Sequence, residues 1–202
     1  MDAWNILLVG VGGQGVLVAS ELIALGFLKA GYDVKKSEVH GMAQRGGTVS
    51  SHVRCGRKVF SPLIPAGEAD LLIAFESLEA LRWLGFLRKQ GRLLVGRQEI
   101  MPTTVTSGRM HYPEDICASL ERRSAPTEVI DALGLARKAG DVRSINSVLV
   151  GAASRSFPLP VEIWREVIEE RLPRKVVDVN LKAFEMGRER VPGKREKAKG
   201  KR

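Results

Sequence analysis

Short, uninterrupted apolar runs alternate along the chain with longer stretches in which apolar residues recur every three or four positions. "NILLV", Asn5 to Val9, is too brief for a helix and is bounded by glycine, so it reads as a strand buried on both faces. Beyond a cluster of glycines, Val16 to Ala30 carries apolar residues at Val16, Leu17, Ala19, Leu22, Ile23, Leu25 and Phe27, a stripe wide enough for a buried helix that Gly31 stops. "YDVKKSEV" then reads as a second strand, which completes the β-α-β unit that opens a doubly wound sheet.

From Thr48 the pattern changes. "TVSSHVRCGRKVFSPLI" places β-branched residues on both sides of Cys55-Gly56-Arg57, which predicts an antiparallel hairpin. "ADLLIAFE" follows as a buried strand, "SLEALRWLGFLRKQ" as an amphipathic helix with Ser77 as its N-cap, and "GRLLVG" as another strand. Further on, "PEDICASLERR" predicts a helix with Pro113 in its first turn, "TEVIDA" a strand, and Leu133 to Ala139 a helix ended by Gly140. Helical patterns over Ser144–Ser156, Val161–Arg171 and Val177–Glu189 close the chain. The expected class is therefore α/β: a Rossmann-like, mostly parallel sheet with an added antiparallel hairpin and a helical C-terminal part. One domain over residues 1–190 and a basic, disordered tail over 191–202 are expected.

Composition changes the picture at two points. The net charge of +9 raises the question of nucleic acid, but Arg188 to Arg202 holds eight basic and two acidic residues, so only +3 is left for the preceding body. The tail contains no aromatic residue on which a base could stack. Nucleic acid is accordingly not the expected partner. The two cysteines, Cys55 and Cys117, stand far apart and cannot by themselves ligate zinc or an iron-sulfur cluster. The absence of a membrane-length apolar run and of a basic N-terminal flank leads to the expectation of a cytoplasmic protein.

Two segments carry candidate chemistry. "GVGGQG", Gly10 to Gly15, fits G-x-G-x-x-G between a predicted strand and a predicted helix, where backbone N–H groups and the helix dipole favour a pyrophosphate. Glycines at such a turn also serve close helix–strand packing, so both uses stand open. The acidic residue that would hold a nucleotide ribose at the end of the second strand is missing: Asp33 opens that strand, and Glu38 lies too far along, two residues before His40. The second segment is "EVHGMAQRGGTVSSHVR", Glu38 to Arg54. Glu38, His40, Gln44 and Arg45 are set among Gly41, Gly46 and Gly47 at the end of a strand, where open α/β sheets bind ligands, and Arg45 offers a fork for phosphate or carboxylate. A histidine such as His40 can serve as acid or base near neutral pH, but no nucleophile stands in a recognised motif beside it. His52 reads as a packed strand residue and His111 as a loop residue.

Together "GVGGQGV", "EVHGMAQRGGTVSSHVR", "FSPLI", "ADLLIAFESLEALR" and "VNLKAFEMGRE" resemble the gamma-type domain of 2-oxoacid:ferredoxin oxidoreductases, in the branch acting on aryl pyruvates such as indolepyruvate. The resemblance spans about Asn5 to Glu189, and Glu38 to Arg54 is its most specific part. It implies a heteromeric complex that oxidatively decarboxylates the oxoacid to aryl-acetyl-CoA and reduces ferredoxin. Coenzyme A is then a co-substrate, while thiamine diphosphate and 4Fe-4S clusters are expected on a partner alpha subunit and none in this chain alone. By motif position, Gly10, Gly12, Gly13, Gln14 and Gly15 become the candidate pyrophosphate loop. Glu38, His40, Gln44, Arg45, Gly46, Gly47, Thr48 and Ser50 become candidates for the cavity or interface shared with the alpha subunit. No complete catalytic site and no metal site are expected in this chain. Gly96-Arg97 stands where the pattern would have Asn after the "LLV" strand, and the lysine-rich tail lies outside the pattern. Two other readings stand beside this one: a free-standing NAD(P) or flavin Rossmann oxidoreductase, and a basic RNA-binding or assembly protein led by the tail.

Overall fold

A computed structural model describes residues 3–41, 47–123 and 126–189. Its centre is a six-stranded sheet in the order β2-β3-β1-β4-β5-β6, with β1 Ala3–Val11, β2 Asp33–His40, β3 Thr48–Gly56, β4 Ala69–Ala74, β5 Leu87–Gly96 and β6 Thr127–Ile130. The ladders β1/β4, β4/β5 and β5/β6 are parallel, and β3 runs antiparallel to both β1 and β2. The apolar run in β1 has the cause read from the sequence: Ile6 and Leu8 enter the core on one face and Leu7 and Val9 the core on the other, all fully buried.

The larger face is covered by α1 (Val16–Lys29), α5 (Ala132–Ala139), α6 (Ile145–Ser154), α7 (Val161–Arg171) and α8 (Arg174–Glu189). On the other face lie α2 (Ser77–Trp83) and α4 (Ile116–Arg123). A four-residue helix, α3 (Thr103–Thr106), sits in the excursion between β5 and α4. Because α1 follows β1 onto one face and α2 follows β4 onto the other, the chain reverses its winding between these neighbouring strands, the position at which open α/β sheets bind ligands.

The antiparallel hairpin exists, but its arms differ from those predicted. β3 is paired on both edges, Val53 opposite Ile6 on one side and Lys36 on the other, so no edge remains for residues 58–64. That segment crosses the sheet face instead, held by side chains. Asp33 Oδ2 accepts Val59 N–H at 2.8 Å, Arg54 Nη1 donates to the carbonyls of Ser61 and Leu63 at 3.2 Å, and His52 Nδ1 accepts Ile64 N–H at 3.1 Å. Pro62 and Pro65 could not have served a ladder in any case. The hairpin is β2–β3, joined through the Glu38–Arg54 segment.

The helix predicted over "SLEALRWLGFLRKQ" ends at Trp83; a 3-10 turn over Leu84–Phe86 follows, and Leu87 already pairs with Ala69 in the sheet. Sheet pairing overrides the continuing helical periodicity there. Its N-cap is Glu76 rather than Ser77, with the Glu76 carboxylate accepting Glu79 N–H. The helix expected from Pro113 begins at Ile116, and Pro113 lies outside it. At the C-terminus α6 and α8 approach to backbone contact at two glycines: a Cβ on Gly151 would fall on the Phe184 carbonyl, and one on Gly187 on the Val148 carbonyl.

Candidate functional site

The glycine turn emerges from β1 at this switch point. Gly10 is its last strand glycine, and a Cβ there would meet Gln14 Oε1, Val16 and Phe75 within 2.9 Å. Gly13 and Gly15 have φ of 100° and 84°, a left-handed backbone that non-glycine residues rarely hold, and Gly15 is the N-cap of α1 without any side-chain cap. Gln14 folds back across the strand ends. Its Oε1 accepts Val11 N–H at 2.7 Å, while Nε2 donates to the Phe75 carbonyl at 3.1 Å and to Gln98 Oε1 at 2.8 Å. The carboxamide thus clamps the ends of β1, β4 and β5 across the switch point, and its hydrogen-bonding capacity is spent inside the protein.

The two segments that the sequence singled out meet here. Gly12 N–H donates to the Gly47 carbonyl at 2.9 Å, and Gly41 N–H donates to the Thr48 carbonyl at 2.9 Å, which closes the base of the β2–β3 loop against the glycine turn. Thr48 Oγ1 lies 3.2 Å from Glu79 Oε1 on α2. Ser50 is buried in β3 opposite Val9 and Val39. Glu38 lies further back on the edge strand, ion-paired with Lys36 at 2.6 Å. Gln44, Arg45 and Gly46 fall outside the described residues, as does the side chain of His40, the last residue of β2. Gly12, Gly13, Gln14, Gly15, Gly47 and Thr48 are therefore brought together, and Glu38 is not among them.

Sequence reading missed a buried polar network on the α2 side. Glu76, 1% exposed, follows β4 and accepts three donors: Glu79 N–H at 2.8 Å, Tyr112 OH at 2.6 Å and Ile100 N–H at 3.3 Å. Gln98 joins this network to the glycine turn through Gln14, and its carbonyl accepts Ser77 N–H at 2.9 Å. Glu79, 2% exposed, pairs with Arg82 at 2.5 Å, and its Oε2 has no hydrogen-bond partner among the described residues. The one local signal was an acidic residue three positions ahead of another at a helix start, which is N-cap chemistry. Gln98, Ile100 and Tyr112 carry no local mark.

The titrating groups follow from this packing. Burial, and then the Glu76 carboxylate beside it, push the Tyr112 phenol well above the usual range. Burial lowers His52, whose Nδ1 already accepts a backbone N–H, so the ring is neutral with its proton on Nε2. Burial also raises the Cys55 thiol, which keeps it protonated and inert. Asp33 is held below the ordinary carboxylate range by Lys35 and by Val59 N–H, at the opposite end of β2 from the glycine turn, and takes no part in the site. Among the described residues no group of three His, Cys, Asp or Glu gathers to hold a metal ion, and no helix is long and apolar enough to cross a membrane.

What the arrangement offers chemically is backbone donors at a helix N-terminus, placed at the switch point and bordered by a second loop. Comparison with known proteins gives this arrangement a family. A family model described as pyruvate ferredoxin/flavodoxin oxidoreductase matches residues 5–190. The indolepyruvate oxidoreductase subunit IorB of Pyrococcus horikoshii is 43% identical over 192 residues, which cover 93% of this chain and 95% of that protein. Among solved structures, a keto/oxoacid ferredoxin oxidoreductase gamma subunit from Geobacter sulfurreducens superposes with a TM-score of 0.69 at 23% identity, covering 92% of this chain and 96% of that one. The 2-oxoglutarate:ferredoxin oxidoreductase from Magnetococcus marinus, solved with 2-oxoglutarate, coenzyme A and succinyl-CoA bound, gives 0.72 at 20% identity over 93% of this chain and 30% of that one. The chain belongs to the pyruvate ferredoxin/flavodoxin oxidoreductase family.

Proposed function

We propose that this chain is the subunit of an indolepyruvate:ferredoxin oxidoreductase that borders the coenzyme A site. The complex converts an aryl pyruvate, coenzyme A and two oxidised ferredoxins into aryl-acetyl-CoA, carbon dioxide, a proton and two reduced ferredoxins. The single observation that carries the role of this chain is the meeting of the glycine turn with the base of the Gly41–Thr48 loop at the switch point, through Gly12 N–H and the Gly47 carbonyl. There the N–H groups of Gly13 and Gly15 have no partner among the described residues and stand at the positive end of α1. The 2-oxoglutarate:ferredoxin oxidoreductase of Magnetococcus marinus, 30% of which this chain matches in fold, was solved with coenzyme A bound, which supports coenzyme A as a co-substrate of the complex.

Thiamine diphosphate and the 4Fe-4S clusters belong, in this reading, to a partner alpha subunit. Two cysteines are too few for a four-thiolate cluster, and they lie on opposite faces of the sheet, Cys55 in the α1 core and Cys117 beside Ser77 of α2. Gly10 and Gln14 shape the pyrophosphate turn, Gly12, Gly13 and Gly15 present backbone to it, Gly47, Thr48 and Ser50 stand at the base of the neighbouring loop, and His40, Gln44, Arg45 and Gly46 are assigned by motif position to the cavity shared with the partner. Glu38 steadies the edge strand behind that loop. Ferredoxin docks on the complex rather than on a cluster of this chain, and the complex works in the cytoplasm.

The test is co-expression. This chain purified alone should be colourless and should not oxidise 2-oxoacids, whereas the complex with its thiamine-dependent partner should be brown and reduce ferredoxin with indolepyruvate and coenzyme A. Turnover of NAD(P)H by the isolated chain would reject the proposal in favour of a free-standing dehydrogenase. Arg45→Ala should raise the apparent KM of the complex for coenzyme A by roughly tenfold, the worth of one charge-assisted hydrogen bond.

A further inference from the structure

The motif "FSPLI", Phe60 to Ile64, lies on the second face of the sheet, where α2 packs on β1, β4 and β5 and α4 on β6. Over the outer strands β2 and β3 the cover on that face comes from residues 58–64 and from the rings of Trp83 and Phe86 against His52. The segment is anchored at both ends. Val59 and Ile64 bury their side chains, and four hydrogen bonds tie its backbone to the side chains of Asp33, Arg54 and His52. Between these anchors Phe60 is 85% exposed and Leu63 57%.

Val39 extends this apolar surface. It shares a face of β2 with Asp33, which holds Val59, and it lies opposite Ser50, two residues along β3 from His52, yet it is 56% exposed. Single exposed apolar residues are ordinary, but three on one face, with a phenylalanine almost wholly in solvent, mark an interaction surface. A loose loop could turn such a ring inward; a segment tied at both ends holds it out.

Position and charge say what covers this face. Val39 adjoins His40, and Ser50 follows the Thr48 base of the loop, so the apolar surface is continuous with the candidate site, which this chain leaves incomplete. In the Magnetococcus marinus protein the same fold is 30% of a longer chain and has its neighbours in one polypeptide. A second copy of this chain fits poorly. An isologous contact through Phe60 would set Arg57 and Lys58 of both copies together, because the Lys58 ammonium stands 5.1 Å from the centre of the Phe60 ring.

We propose that Phe60, Leu63 and Val39 are the anchors through which this chain docks on its thiamine-dependent partner subunit, in a depression of that subunit lined by apolar side chains and rimmed by carboxylates that meet Arg57 and Lys58. The identity of the partner rests on the function proposed above; the docking face rests on the exposure and the anchoring of these residues.

Association is read in the co-expressed complex. Phe60→Asp should weaken binding of this chain to its partner by roughly thirtyfold or more, the effect of losing one anchor, and Phe60→Asp combined with Leu63→Asp should leave the two subunits eluting apart in gel filtration. The variant chains alone should unfold in urea at the wild-type midpoint, because both side chains are exposed, so a lost complex is not a lost fold. Leu28→Asp, which alters a comparably exposed apolar residue of α1 on the other face, should assemble as wild type does. Photo-activated p-benzoylphenylalanine at position 60 should cross-link to the partner subunit, and this measurement serves if the aspartate variants fold poorly. Full assembly of the double variant, or a cross-link that joins two copies of this chain, would overturn the docking. A wild-type complex that assembles but is inactive with indolepyruvate and coenzyme A would instead count against the proposed function, and assembly would still decide the docking face.

Discussion

At the scale of single residues, the site is held by polar side chains whose partners are fixed by burial. Glu76 satisfies three donors from three parts of the chain, so its removal strands the Tyr112 hydroxyl and the Ile100 N–H as well as uncapping α2. Glu76→Ala should cost about 3 kcal/mol, the sum of a lost cap and one stranded buried donor, and Glu76→Gln less, because an amide oxygen still accepts. Urea unfolding followed by circular dichroism measures both, and equal midpoints for Glu76→Ala and wild type would refute the network. His52 sets a pH dependence. Its folded-state pKa is depressed by burial below the ordinary histidine value, so below that ordinary value the unfolded chain binds the proton more readily. The contribution of neutral His52 is therefore complete above pH about 6.5 and is lost as pH falls through the folded pKa. The urea midpoint of wild type should drop between neutral and mildly acidic pH, and His52→Gln, which still accepts from Ile64, should flatten that slope.

At the scale of elements, close approach and edge pairing decide the architecture. α6 and α8 cross on paired glycines, Gly151 against Phe184 and Gly187 against Val148, with backbone rather than pliable side chains as the neighbours. Gly151→Ala must push the helices apart, and we expect it to lower stability by about 3 kcal/mol, at the upper end for overpacking. Thermal unfolding checks this, and a melting temperature like that of wild type would show that the crossing yields. The strand of Thr48–Gly56 is visible in the sequence because its β-branched residues are a local signal. Its place between β2 and β1 is not, because strand order is settled by which edges are left free. Once both edges of β3 are taken, the β-branched segment after Arg57 has no ladder to join. Likewise the apolar periodicity of α2 runs past Trp83, and only the pairing of Leu87 with Ala69 ends it.

At the scale of the whole molecule, six of the nine net positive charges fall in residues Arg188–Arg202. Deleting Pro192–Arg202 removes six basic residues and one acidic one and takes the formal charge from +9 to +4, while leaving the residues matched by the family, 5–190, intact. The truncated chain should assemble with its partner and turn over as the full chain does; loss of salt-sensitive RNA binding together with activity would give the tail a larger role. The sequence by itself determined the opening β-α-β unit, the glycine turn and the oddity of the Glu38–Arg54 segment, because runs, periodicity and glycine spacing are local and need no partner. It also determined the family resemblance, which rests on those same local motifs. Only the tertiary structure decided that Gln14 would clamp Phe75 and Gln98, that Glu76 would gather Ile100 and Tyr112, and that Asn146 would stand beside Gly15. Those contacts join residues 24 to 131 positions apart, and such pairs are chosen by how the helices cover the two faces of the sheet rather than by any pattern within reach along the chain.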